Sequence, residues 1–326
     1  VSGLGWTYAD VSCVPLITGV LAPVIRGWPV LDVPAAWSAM RRRIRNLGRP
    51  GIVSCALSAV DIALWDAAAR AAGLPLVRLL GREHEDVALY ASGGFTTECV
   101  HQLEAWLGSW VHQRQVPRVK IKIGEAWGTE IARDLTRVRA ARDAIGSEVE
   151  LYVDANGGYT VGQARRMTGL LAEHDVRWFE EPVSSDDLAG LAELRGGSTM
   201  DIAAGEYGYD LAYFGKMIGA RAVDCVQIDV TRCGGYTEWR RIAALAAAAG
   251  LDVSAHCAPN LSAQIAAATP NFRHIEWFAD HDRIETEFFA GALDPATGRV
   301  APDTTVSGHG YSLNADIAGY TVPEAA

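Results

Sequence analysis

The segment RVKIKIGE (118–125) sets two lysines, Lys120 and Lys122, into an otherwise apolar run. Residues two apart on a strand face the same side, so both ammonium groups enter one space. Burying them is costly unless that space holds something that uses them. Further along, short apolar segments end in acids: LYVDAN carries Asp154, RWFEEP carries Glu180 and DIAAGE carries Glu206. The steps from 154 to 180 and from 180 to 206 are both 26 residues, the length of one strand–helix unit. Three hard oxygen donors without Cys or His suit Mg2+, which keeps its other positions for water or substrate oxygens. Two neighbouring acids compete for this role. Glu181 has the opposite strand parity to Glu180 and is expected to pair elsewhere, and Asp201 opens its segment and belongs at the far end.

A second group follows. CVQIDV carries Asp229 and DVSAHC carries His256, so on adjacent strands the two lie side by side. A carboxylate beside an imidazole fixes its tautomer and raises its basicity, as proton transfer requires. Asp224 starts its segment and should face away, and the remaining histidines fall on helices, in loops or at strand starts, where a structural role is expected. A metal among the acids would lie opposite the lysines. An ammonium near a cation and away from bulk water has its pKa lowered, so Lys122 can serve as a base, while Lys120 stays charged and binds an anionic oxygen. The His256–Asp229 pair supplies a second proton carrier across the cavity. A metal bound to a substrate carboxylate stabilises the enediolate left when an α-proton is removed. Asn156 and Asn260 fall near the same rim. They suit a polyol chain better than an aromatic ring, or they are ordinary turn asparagines.

These residues need a scaffold that gathers strand ends. From about Asp86 onward, eight short β-rich segments alternate with amphipathic helical ones: VALYAS, VKIKIG, LYVDAN, RWFEEP, DIAAGE, CVQIDV, DVSAHC and RHIEWF. Alternation of this kind implies a parallel sheet, and eight units imply a closed (β/α)8-type TIM barrel, whose strands all open at their C-terminal ends onto one face. Upstream, GWTYAD reads as a strand end. AAWSAMRRRIRNLG and GIVSCALSAVDIALWDAAARAAG read as two helices packed as a hairpin, with RRRIR a solvated face. Three regions are expected: a capping domain over 1–85, a barrel over 86–285, and a segment over 286–326 that returns to the cap.

The chain of 326 residues is 49% hydrophobic and 21% charged, with a formal net charge of −10. That balance argues against nucleic acid or an anionic membrane as partner. The six cysteines lack metal-type spacing and read as buried free thiols of a reducing compartment. No apolar run is expected to span a membrane, no signal peptide is read, and a cytoplasmic location follows as the expectation.

Taken together, these motifs resemble the enolase superfamily and, within it, the mandelate racemase subgroup. KIK resembles the paired-lysine strand, with Lys122 in the catalytic and Lys120 in the substrate-binding position. VDANGG, WFEEP and AAGE resemble the segments of the three metal ligands, Asp154, Glu180 and Glu206. DVTRCGG and SAHCAPN resemble those of the aspartate–histidine pair, and Glu276 of HIEW matches the carboxylate that hydrogen-bonds the substrate's acid group. The resemblance implies an α+β cap over a modified (β/α)7β barrel, Mg2+, a small carboxylate substrate and even-numbered homo-oligomers. It implies removal of an α-proton, with dehydration of an acid sugar to a 2-keto-3-deoxy acid ahead of racemisation or epimerisation of a 2-hydroxy acid. A scaffold without activity is a third reading, opposed by the complete residue set. The family's cap opens with two further strands and a specificity loop, and this sequence starts near where the third strand would end, so a cap lacking its first strands is expected.

Overall fold

The computed structural model describes residues 1–314; residues 315–326, the end of the expected return segment, lie outside the described part. Eight strands run in parallel and close into a ring: β1 (Val87–Gly93), β2 (Arg118–Lys122), β3 (Glu150–Asp154), β4 (Val176–Glu180), β5 (Asp201–Ala204), β6 (Cys225–Ile228), β7 (Asp252–Ala255) and β8 (Phe272–Phe278). The ring shuts through β1 against β8, with Leu89 opposite Ile275 and Tyr90 opposite Glu276. The expected TIM barrel is therefore present. Each strand is followed by a helix on the outside, among them Ile131–Ile145 after β2, Val161–Ala172 after β3 and Gly235–Ala248 after β6.

The strands stop earlier than their apolar patterns. β5 ends at Ala204, β6 at Ile228 and β7 at Ala255, so Glu206, Asp229 and His256 stand just beyond them. There the backbone turns sharply. Asn156, Glu181, Cys257 and Ala258 all adopt left-handed φ values, of 44°, 38°, 49° and 41°. Such conformations cost non-glycine residues about 1–2 kcal/mol each and cluster where a site needs them. Below this rim the barrel is plugged by aromatic side chains: Tyr90, Tyr152 and Trp178 pack with His274 at ring separations of 4.8 to 6.4 Å.

Residues 1–86 fold as helices and coil. GWTYAD is not a strand end: Trp6 stacks on Phe289 with ring centres 4.1 Å apart, and the segment runs as coil along a long helix, α2 (Ile52–Ala72). Gly3 and Gly5 permit that approach, since a Cβ on them would fall 2.0 Å from the Ala63 carbonyl oxygen and 2.3 Å from that of Ala59. The helix α1 (Val33–Arg43) packs on α2 as the expected pair, with Arg41, Arg42 and Arg43 in solvent. In length and hydropathy α2 does qualify as a membrane span, which corrects the sequence expectation. However, 67% of its apolar window is buried inside this protein, and it buries acids as anchors. Asp61 accepts from the Thr237 N–H (2.9 Å) and hydroxyl (2.6 Å) at the first turn of Gly235–Ala248. Asp66 accepts from Leu4 N–H and His309 N–H, tying the start and the returning segment to the same helix. All six cysteines are free thiols, and Cys99 is exposed rather than buried.

The Asp61 contacts yield a stability prediction. Asp61→Ala leaves two buried donors without an acceptor, and urea unfolding should show a loss of about 1–3 kcal/mol. Asp61→Asn keeps an acceptor oxygen and should lose less. Equal stability of all three proteins would show that the cap does not dock through this residue.

Candidate active site

Lys122, Asp154 and Glu180 are the last residues of β2, β3 and β4, and they stand in direct register across the sheet. In a parallel sheet such a row points to one side, here the barrel axis. Glu206 joins from the loop after β5, and ligand oxygens of Asp154, Glu180 and Glu206 all lie within 4.8 Å of one another. All three residues are buried. Lys122 is paired with Asp154. Lys120, fully buried one layer deeper, is paired with Glu180 and lies 2.7 Å from Glu276 and 3.4 Å from Asp154. At the other end of the carboxylate arc, His256 Nε2 approaches Glu206 to 3.2 Å, and its Nδ1 lies 2.7 Å from Asp229. Asp229 is held in turn by the Thr231 N–H and hydroxyl and by Arg232.

The charges shift one another. Burial disfavours the Lys120 ammonium, but Glu180 and Glu276 outweigh it and hold the group well above its ordinary range. Burial likewise opposes charge on Lys122, yet Asp154 raises it. The protein's own charges thus push Lys122 opposite to the lowering expected from the sequence. Burial is also overcome at Glu206 by His256, at Glu276 by Lys120 and at Asp229 by the His256 hydrogen bond, so all three acids are held low. His256 is pushed up against the effect of burial by its acidic surroundings, including Glu206 and Glu276.

Two sequence expectations need correction here. Glu181 does not pair elsewhere. Its left-handed backbone undoes the strand parity, the side chain is buried, and burial together with Glu206 and Asp154 raises its pKa. Asn260 does not face a substrate chain: its amide donates to Glu285 at 2.5 Å, its carbonyl accepts from Leu293 N–H, and it is buried. Asn156 does stand at the rim, exposed, lining two adjoining cavities of about 610 and 490 Å3. As expected, Asp201 and Asp224 pair away from the site, with Arg273 and Arg195.

The donor set fits a hard divalent ion. Three buried carboxylates converge, and a buried carboxylate oxygen nearby, Glu181 Oε1, has no hydrogen-bond partner. Asp154, Glu180 and Glu206 are the residues that could hold it.

Comparison with known families agrees with this geometry. Residues 102–317 match the model for the enolase C-terminal domain-like family, and residues 9–81 match the mandelate racemase/muconate lactonizing enzyme N-terminal domain. The chain belongs to the enolase superfamily. Within it, a mandelate racemase/muconate lactonizing enzyme-like protein from Rubrobacter xylanophilus superposes with a TM-score of 0.93 at 45% identity, covering 98% of this chain and 88% of that one. L-Talarate dehydratase from a Polaromonas species, crystallised with Mg and L-glucarate, superposes with a TM-score of 0.88 at 32% identity, covering 98% and 88%. The D-galactarolactone cycloisomerase of Agrobacterium fabrum is 33% identical over 310 residues, 89% of this chain and 81% of its own length. Other curated relatives in the superfamily are named as dehydratases and as a dipeptide epimerase.

Several residues of this superfamily site were not read from sequence. Trp178 Nε1 and Gln227 Nε2 both donate to Glu180 Oε2, at 2.9 and 3.0 Å, and fix its orientation. Ser92 at the end of β1 donates to Glu276 at 2.6 Å. His281 stacks on Tyr8 with ring centres 3.5 Å apart and accepts from Ala258 N–H. Trp178 had a signal, since it precedes Glu180 by two residues on one strand and so shares its face.

Proposed function

We propose that this enzyme removes the proton α to a substrate carboxylate and eliminates water from an acid sugar, giving a 2-keto-3-deoxy acid. The supporting observation is the placement of two proton-carrying groups at the two ends of one arc of acids: Lys122 against Asp154 and His256 against Glu206. A substrate bound over the arc is flanked by both.

Asp154, Glu180 and Glu206 would hold Mg2+, which supplies Lewis-acid polarisation of the substrate carboxylate when bound. The chain's own groups do the rest. Lys120, charged and immobilised by Glu180 and Glu276, offers a fixed donor to a carboxylate oxygen. Glu276, oriented by Ser92 and the Cys257 N–H, can hydrogen-bond the substrate's acid group only as the neutral acid, so it takes up a proton as that carboxylate binds. Lys122, beside Asp154 at the end of the arc, accepts the α-proton as the neutral amine, a form that a cation held by Asp154 would favour. His256, its Nδ1–H turned to Asp229, presents Nε2 to the opposite face. From there it protonates the departing β-hydroxyl, which leaves as water. The enol then tautomerises to the keto acid.

The polar rim favours a hydroxylated substrate, since Asn156, Ser184, Tyr207 and Lys216 line the larger cavity. The dehydratase and cycloisomerase relatives, which act on sugar acids by name, point the same way. Racemisation or epimerisation of a 2-hydroxy acid uses the same two proton carriers and is the second reading.

A screen of aldonic and aldaric acids in D2O decides between them. The expected result is formation of a 2-keto acid that is abolished by EDTA and restored by Mg2+. Deuterium at the α-carbon without loss of water would instead establish the racemase. Neither product from any acid, with Mg2+ bound, would refute α-proton chemistry.

A further inference from the structure

Beside the hard-oxygen cluster lies a second trio that the proposed reaction only partly uses. Cys257 Sγ is 3.3 Å from His256 Nε2 and 3.6 Å from Glu276 Oε2, and His256 Nε2 is 3.7 Å from Glu276 Oε2. All three residues are buried, and their candidate ligand atoms lie within 4.8 Å of one another. Zn2+ binds S, N and O donors at about 2.0–2.3 Å in a tetrahedron, which places pairs of donors about 3.3–3.7 Å apart. The observed edges of 3.3, 3.6 and 3.7 Å fall within that range. We propose that His256, Cys257 and Glu276 form a second cation site, selective for thiophilic ions such as Zn2+, whose occupation shuts down the enzyme.

Three features support it. The donor set is chemically distinct from its neighbour: a thiolate and an imidazole suit Zn2+, whereas three carboxylates suit Mg2+. The imidazole is already oriented as in zinc sites, its Nδ1 at 2.7 Å from Asp229 so that Nε2 faces the trio. The left-handed backbone at Cys257 and Ala258 turns the thiol inward over the barrel axis, next to Glu276, rather than out along the helix that follows. Binding exchanges the ion for the thiol proton and any proton on Nε2, which pass to solvent, and no redox change is involved. The fourth position is open to water.

The inhibition rests on the function proposed above, because it removes His256 and Glu276 from substrate; the binding does not. The test uses the full-length, Mg2+-saturated protein titrated with Co2+ as a spectroscopic probe and then with Zn2+. The native protein should develop a thiolate-to-Co2+ charge-transfer band that Zn2+ abolishes and excess Mg2+ does not. C257S and C257A should lack the band and bind Zn2+ at least about tenfold more weakly. Micromolar Zn2+ should inhibit α-proton exchange in the native protein, with that sensitivity lost in C257S. Absence of the band in the native protein, or its survival in both variants, overturns the site. A band with undiminished exchange upholds the site but overturns the shutdown, and it counts separately against the assignment of His256 and Glu276 to the reaction.

Discussion

Replacing Lys122 with alanine is expected to slow α-proton exchange by on the order of 10³-fold while Mg2+ binding persists. The lysine is the final residue of β2, in register with Asp154, and it reaches the arc from the side opposite His256. Among the described residues no other amine is positioned there: Lys120 lies a layer deeper, locked between Glu180 and Glu276. Removing Lys122 also frees Asp154 of a competing cation, so Mg2+ affinity measured by calorimetry should hold or rise. Exchange of the substrate α-proton, followed by NMR in D2O, reports the chemical step directly. Retention of the native exchange rate would remove Lys122 from the reaction; loss of Mg2+ binding would make its role structural.

Replacing Lys120 with methionine is expected to cost about 3–5 kcal/mol of stability in the absence of divalent ions. The methionine keeps the volume and removes the charge. It leaves Glu180 and Glu276 buried without their counter-ion while Lys122 stays paired with Asp154, and uncompensated buried charge is far more costly than a lost surface pair. Urea unfolding at neutral pH measures the loss. Added Mg2+ should recover part of it, since a cation among the acids replaces some of the missing positive charge. A loss under about 1 kcal/mol would show that the acids do not depend on Lys120 for their ionised state.

The site's main parts were legible because a parallel barrel turns sequence period into spatial order. Asp154 and Glu180 end apolar strands one unit apart, and each faces inward for the reason that the apolar residues on either side of it face out. Glu206, Asp229 and His256 were found by the same pattern although they lie past their strands, since one or two extended residues carry a strand's direction forward. Where the backbone leaves that course, parity fails. Glu181 was expected to point away, and a φ of 38° returns it to the cluster. Asn260 was misread because its partner, Glu285, is a helix residue that no local pattern links to it. The N-terminal coil was missed for a related reason. Trp6 and Tyr8 resemble a strand in composition, but their contacts are Phe289 and Glu285, near the other end of the chain. In α2, burial on almost every face left little amphipathic contrast to distinguish a core helix from a membrane span.

The closure of β1 against β8 has a thermodynamic consequence. The groups that surround the ion site come from residues 120 to 276, and Glu276 meets Lys120 only after the last strand has joined the first. The three acids of the ion site sit on or just past neighbouring strands, β3 to β5, and converge within that part of the sheet, while the closure adds Glu276 and its pairing with Lys120. An ion that binds the folded sheet and not the unfolded chain shifts the unfolding equilibrium by mass action, by about 2.7 kcal/mol when its concentration is a hundredfold above its dissociation constant. Magnesium would then act as a folding ligand as well as a reactant-binding one, with the last strand pairing setting the charge that faces it through Lys120 and Glu276.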